Sequence, residues 1–195
     1  SAQDLKCTSW EAHPKGVKEA RTQHTLYRDE FKAGRFAEAL KLWEPLFESV
    51  TSPTEAPKRH FEDGIEIYSQ LAKASSDAAQ KKAYLDKMNA LYDHKAKCTG
   101  EDVTDRAYQA YNLQAGGYPD ALATLAAYER VLTMGKEKTP YFSLQPLAYL
   151  SVYMFEKAPK YDKAFMVALY YQLKDICDKN AANEYKQAWL AVDAE

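Results

Sequence analysis

The chain has 195 residues, 46% of them hydrophobic and 28% charged, with 26 Lys+Arg against 28 Asp+Glu and a formal charge of −2. That is the composition of a folded chain of one domain or two small ones, not of a disordered tail. A pI near 6.1 lacks the basic excess of a dedicated nucleic-acid module, and the longest apolar run, AFMVALYY at 164–171, is far short of a bilayer span.

Residues 1–16 (SAQDLKCTSWEAHPKG) lack helical periodicity and contain Pro14 and Gly16, so they read as an extended N-terminal arm, with Trp10 pinned onto the body. A start without Met fits removal of a signal peptide or a trimmed chain. Cys7, Cys98 and Cys177 lie far apart with no CxxC pair, which speaks against a finger-type metal site. Cys7 and Cys98 could be bridged in an oxidising compartment or could both stay free. Cys177, in an apolar helix, reads as a small hydrophobe.

From residue 17 the periodicity is helical almost throughout. Phe36, Ala39, Leu40, Trp43, Leu46, Phe47 and Val50 share one helix face. Tyr84, Leu85, Met88, Leu91 and Tyr92 form a second stripe, and Leu122, Leu125, Tyr128, Val131 and Leu132 a third. A fourth runs Phe165, Ala168, Leu169, Gln172, Leu173, Ile176. No sustained period-two alternation is present, so no sheet is expected. Gly34, Pro53, Gly100, Gly116-Gly117, Gly135, Pro140 and Pro159 punctuate about nine helices. Ser76-Asp77 reads as the start of the fourth. Pro45 falls inside a stripe, and a kink is expected there.

The most informative feature is a repeat. Gly34-Arg35-Phe36-Ala37-Glu38-Ala39-Leu40 and Gly116-Gly117-Tyr118-Pro119-Asp120-Ala121-Leu122 both read glycine, aromatic, acid, Ala-Leu. A weaker copy surrounds Tyr161 and Ala164, and Lys82-Ala83-Tyr84 is a degenerate fourth. The recurrence, about forty residues, is the length of two antiparallel helices with short loops. The glycine turns the chain, the aromatic staples the next helix, and the small Ala admits its neighbour. The large residue four further on (Trp43, Leu125) packs outward. One such pair cannot bury its stripe alone, so pairs must stack.

On these residues the chain resembles the tetratricopeptide repeat family, whose second half-motif matches 34–43 well, 116–125 nearly as well and 160–168 loosely. It departs from the family where Tyr27 and Glu30 stand in the first helix of a repeat, and in a spacing above the family's roughly 34 residues. The resemblance implies an all-α fold over 17–195, a right-handed solenoid of stacked antiparallel helix pairs in about four repeats. The segments Asp63-Gly64-Ile65-Glu66-Ile67-Tyr68, Lys82-Ala83-Tyr84-Leu85-Asp86 and Leu91-Tyr92-Asp93 are similar to exported tetratricopeptide-like proteins of Bacteroidetes. That likeness implies an exported, periplasmic or cell-envelope protein and no chemistry.

No phosphate loop, dinucleotide fingerprint or nucleophile elbow is present, and no catalytic residue, cofactor or metal is expected. His13, His24, His60 and His94 read as surface or cap residues, although His60 and Asp63 share a helix face. Ser143 and Ser151 have the neighbours of a cap and a packed helix. The tyrosines leave two readings open: packing between helices, or a groove on the concave face lined by Tyr27, Tyr68, Tyr108, Tyr111, Tyr149 and Tyr153. Arg21, Arg28, Lys58, Arg59 and Arg106 could bind acidic termini or be solvated.

The expected function is a non-enzymatic adaptor holding a protein or peptide along that face. The rivals are carbohydrate or small-ligand capture by the Tyr-lined groove, and a structural module of a longer chain. No nucleic-acid partner or transmembrane segment is expected. The apolar face of the C-terminal segment 183–195 should fold back on the eighth helix or continue into further material, and it offers self-association.

Overall fold

The computed structural model describes residues 5–195; the first four residues of the expected arm lie outside the described residues. The fold is all-α. Among the described residues there are nine α-helices, three short 3-10 turns and no strand. The chain divides into two compact units, one ending at Glu101 and the other beginning at Asp102.

The first unit holds α1 (Val17–Lys32), α2 (Phe36–Ser49), α3 (Arg59–Ala74) and α4 (Ala78–Thr99). Short connections make α1/α2 and α3/α4 antiparallel hairpins, and α2 joins them by packing on α3. The α2 stripe is buried as its period requires: Ala39, Trp43, Leu46 and Val50 are closed to solvent. Trp43 stacks on Phe47 at 4.6 Å and donates its indole N–H to the His60 carbonyl at 2.9 Å. Gly64 on α3 is what admits that indole. A methyl built there would stand 2.7 Å from Cη2 of Trp43 and 2.9 Å from Cδ1 of Leu91. Pro45 stays inside α2, on its exposed side.

The arm is tied down along its described length. Trp10 is buried, the Thr8 hydroxyl donates to the Ser49 carbonyl at 2.6 Å, and Cys7 is disulfide-bonded to Cys98 at the end of α4. His94 donates to the Lys6 carbonyl at 2.5 Å, and Lys97 to that of Leu5 at 2.6 Å.

The second unit holds α5 (Val103–Ala115), α6 (Ala121–Gly135), α7 (Leu144–Met154), α8 (Lys163–Asp178) and α9 (Asn183–Ala194). α5 and α6 form a hairpin, α7 rests on α6, and α9 folds back across both α7 and α8. Leu125, Tyr128, Val131, Leu144, Leu147, Leu169, Leu173 and Ile176 fill its core. Asp77, Asp102, Asp120 and Asp162 each accept the backbone N–H three residues on, at 2.8–3.0 Å, so α4, α5, α6 and α8 start on the same capping chemistry.

The turn that opens the repeat is built identically twice, in a register shifted from the sequence alignment. After α1, Gly34 donates to the Phe31 carbonyl and Arg35 to that of Glu30; after α5, Gly117 donates to Gln114 and Tyr118 to Leu113. Both are Schellman closures with the left-handed residue at φ 73° and 71°. The counterpart of Gly34 is therefore Gly117, while Gly116 has φ −77° and ends the helix as an ordinary residue. Three other positions also differ from the repeat reading. Ala39 is closed to solvent, but Ala121 is only partly covered and Ala164 is exposed, so the close approach assigned to this Ala holds in the first copy alone. Leu122 is 45% exposed, because the buried stripe of α6 begins at Thr124 and Leu125, one turn in. Tyr161 is buried with Phe165 edge-on at 5.0 Å, so the aromatic staple survives in the third copy without its small partner.

Candidate functional site

Two features stand out, one in each unit. In the first, α1 and α3 present the same spacing to each other: His24 and Tyr27 on one, His60 and Asp63 on the other, each pair three residues apart. The structure joins them rung by rung. His24 Nδ1 lies 2.9 Å from His60 Nε2, and the Tyr27 hydroxyl donates to Asp63 at 2.7 Å. Arg28, one position beyond Tyr27, forms a 2.7 Å ion pair with the other oxygen of Asp63.

The proton positions on the two imidazoles follow from one carbonyl. His60 Nδ1 lies 2.7 Å from the Val50 carbonyl oxygen, which can only accept, so Nδ1 carries the proton and Nε2 a lone pair. His24 must then donate from Nδ1, which leaves the lone pair of its Nε2 on the opposite edge of the ring. Burial pulls His60 down to about 4, with neighbouring His24 adding to the effect, so His60 is neutral at physiological pH. His24 is lowered as well, first by burial and then by Arg28, Arg59 and Arg21, against the raising influence of Asp63. Burial and the Asp63 charge both push the Tyr27 hydroxyl above its ordinary value, so it stays a donor.

Trp10 stands edge-on to both imidazoles, at 5.5 and 5.7 Å. Its indole N–H reaches Glu55 at 2.6 Å; Arg21 reaches the other Glu55 oxygen at 2.5 Å while lying 4.8 Å over the Trp10 ring. These two donors hold Glu55 down at about 2. Arm, α1 and the chain entering α3 thus border an open cleft of about 650 Å³, lined by Arg21, His24, Arg28, Lys32 and Arg59 among others.

In the second unit the feature is apolar. A groove of about 410 Å³ between α7 and α8 is lined by Val152, Phe155, Met166, Val167, Tyr170 and Tyr171, with Lys163 its one charged wall residue. All of these except Met166 and Lys163 are large apolar side chains standing more than a third exposed.

The six tyrosines read from sequence as groove residues separate into three groups. Tyr27 is completely buried and Tyr68 nearly so, bonded to Asp63 and Glu44, and neither can touch a partner. The Tyr27 hydroxyl faces the buried Asp63 and that of Tyr68 reaches out to the exposed Glu44, which is why both helices tolerate them in the core. Tyr108 and Tyr111 are exposed and brought together by Phe142, at 4.9 and 6.2 Å. Tyr149 and Tyr153 are exposed on α7, with Lys157 Nζ 3.5 Å above the Tyr153 ring. Of the cations read as binders, Arg21 and Arg28 are engaged by acids, and Arg106 is buried against Gln109.

The histidine pair was missed because His24 and His60 are 36 residues apart and each looks ordinary alone. His60 is not the surface or cap residue expected but fully buried, and His13 and His94, read the same way, are buried as well. The available signal was the matched three-residue spacing on the first helices of successive pairs. Among the described residues no group of three or more His, Cys, Asp or Glu is set to hold a metal ion.

Compared with known proteins, the sequence matches no family profile and no curated relative. Among solved structures, it is similar to a thermophilic TPR protein of Thermus thermophilus. The identity is 12% and the TM-score 0.48, over 90% of this chain and 100% of that one. That likeness concerns the fold alone.

Proposed function

We propose that the protein is a non-enzymatic scaffold that holds an apolar segment of a partner protein, and that it works outside the reducing cytosol as an exported or envelope-associated protein. The observation that carries the binding reading is the α7/α8 groove. Val152, Phe155, Val167 and Tyr171 keep large apolar area in water, and so does Tyr170 although Trp189 and Asp193 of α9 reach one side of it; a contiguous exposed apolar patch of this kind marks an interaction site. Tyr and Phe give rigid contact area at low entropic cost. Lys163 in the wall, with Lys157 near the same end of α7, fits a segment whose apolar side chains are followed by an acidic one. Tyr149 and Tyr153, on the same helix, would extend the contact, and the Tyr108–Phe142–Tyr111 cluster is a second patch of the same character.

Panning a displayed peptide library on the purified protein tests this. Enriched peptides should combine two or more apolar anchors with an Asp or Glu. Val167→Asp should weaken their binding at least tenfold with an unchanged melting temperature, whereas Lys163→Gln should relax only the acidic preference. Peptide binding that survives Val167→Asp, or a concentration-dependent dimer that Val167→Asp dissolves, would refute the groove as a peptide site. The export reading is supported by the Cys7–Cys98 bridge, since structural disulfides persist in oxidising compartments and are rare in the cytosol. Fractionation of the native host should place the protein outside the cytoplasm with both thiols protected from alkylation.

A further inference from the structure

We propose that the cleft of the first unit binds a small organic oxyanion, a carboxylate or phosphate ester that carries hydroxyl or amino donors beside the charge. The site is independent of the α7/α8 groove and its assignment does not rest on that reading.

Its volume, about 650 Å³, is that of a pocket for a small molecule and not of a crevice for water. Four cations, Arg21, Arg28, Lys32 and Arg59, face it against two acids, Asp29 and Glu55. How these charges are already committed decides the chemistry. Glu55 is held by Trp10 and Arg21, and Arg28 is held by Asp63 behind the wall. Neither Arg59, at the start of α3, nor Lys32, at the end of α1, has an acid within ion-pair distance among the described residues. They converge on one space from two helices, and with Asp29 as the one unpaired acid of the same lining they leave it an excess of one positive charge. A guanidinium and an ammonium so placed are a receptor for carboxylate or phosphate oxygens.

The same wall also carries acceptors. The His24 lone pair on Nε2 is fixed by the hydrogen-bond chain through His60 to the Val50 carbonyl. Asp29 is the one carboxylate of the lining without an ion pair. A bare oxyanion would meet these acceptors with repulsion. A ligand that brings donors next to its charge satisfies both sets at once, and this separates a hydroxy acid or a sugar phosphate from inorganic phosphate. Thr25, whose hydroxyl is turned back to the Arg21 carbonyl at 3.1 Å, adds no competing donor.

The arm makes the site a built one. Trp10 closes one wall, and it is locked by Glu55 and by the disulfide three residues before it. The ligand therefore meets a preformed pocket and has no loop to order.

Isothermal titration of the full chain with citrate, glucose 6-phosphate, inorganic phosphate and glucose tests the proposal. Citrate or glucose 6-phosphate should bind, and which of the two binds more tightly identifies the source of the anion. Inorganic phosphate should bind at least tenfold more weakly than that compound, and glucose should not bind. Arg59→Gln and Lys32→Gln, both exposed, should each weaken binding at least tenfold while the ligand-free melting temperature holds. Asp29→Asn should narrow the gap between phosphate and the organic ligand. No binding by either organic anion at millimolar concentration would overturn the proposal. So would equal binding of glucose, or affinity that Arg59→Gln leaves untouched; phosphate binding as tightly as the organic anions would overturn the donor requirement.

Discussion

His60 shows how a residue unremarkable in sequence becomes a constraint on the whole first unit. It is closed to solvent, donates from Nδ1 to a carbonyl and accepts at Nε2, so the native state has room for only its neutral form. Its folded value, about 4, lies below the ordinary 6.5, so the unfolded chain binds the extra proton between those limits. Stability therefore rises with pH across this window: it is fully present above pH 6.5 and lost as the pH falls towards 4. At about 1.4 kcal/mol per pH unit of offset, the loss between pH 7 and pH 5 is about 2 kcal/mol from His60 alone. His24, lowered in the same direction, adds to it. Urea unfolding at the two pH values measures the change, and an NMR titration of the His60 ring protons assigns it. A denaturation midpoint that does not move between pH 7 and 5, or a His60 ring that titrates near 6.5, would show that the buried neutral pair is wrong.

The helices themselves depend on cues of different reach. The stripes on α2 and α4 were legible because a helix has a fixed period and one buried face, and Trp43, Leu46, Leu85 and Met88 sit where the spacing puts them. The repeat was legible too, but its register was not: Gly116 and Gly117 are equivalent on paper, and only the closure bonds show that Gly117 takes the left-handed position. That distinction predicts a measurable asymmetry with Ala. At Gly34 and Gly117 a Cβ meets no neighbouring atom within 4 Å, so space is not the issue and backbone strain alone should act. Each change to Ala should cost about 1 kcal/mol, the penalty of a left-handed conformation for a residue with a Cβ. Equal losses at the two sites by chemical denaturation would support a shared closure; a neutral Gly117→Ala would separate the two copies. The site was less legible than the helices for a related reason. Periodicity reports which face of one helix is buried, but not which side chains of two helices meet. Tyr27 and Tyr68 thus read as a groove lining although they are core, and the His24–His60 contact gave no pattern within either helix alone.

At the scale of the chain, the Cys7–Cys98 bridge closes a loop of 91 residues, reaching from the arm to the last turn of α4. A crosslink of that span restricts the unfolded ensemble far more than the folded one. The loop-closure relation gives about 4 to 5 kcal/mol, a large share of what a small unit has in total. The folded state adds reasons why the arm returns to its place without the bond. Trp10 is buried against His24 and His60, Thr8 is bonded to Ser49, and His94 and Lys97 hold the carbonyls of Lys6 and Leu5. Reduction should therefore leave the native arm contacts in place while lowering the free energy of unfolding, an effect exerted mainly on the unfolded side. A Cys7→Ser, Cys98→Ser double variant should retain its tryptophan fluorescence and far-ultraviolet circular dichroism at 25 °C but unfold at clearly lower urea, with a stability loss of several kcal/mol. A reductant should change the wild type in the same way and leave the double variant untouched, and that comparison isolates the bond from the two serines. A variant as stable as the oxidised wild type would mean that arm contacts already restrict the unfolded chain, and that the bridge contributes position and not stability.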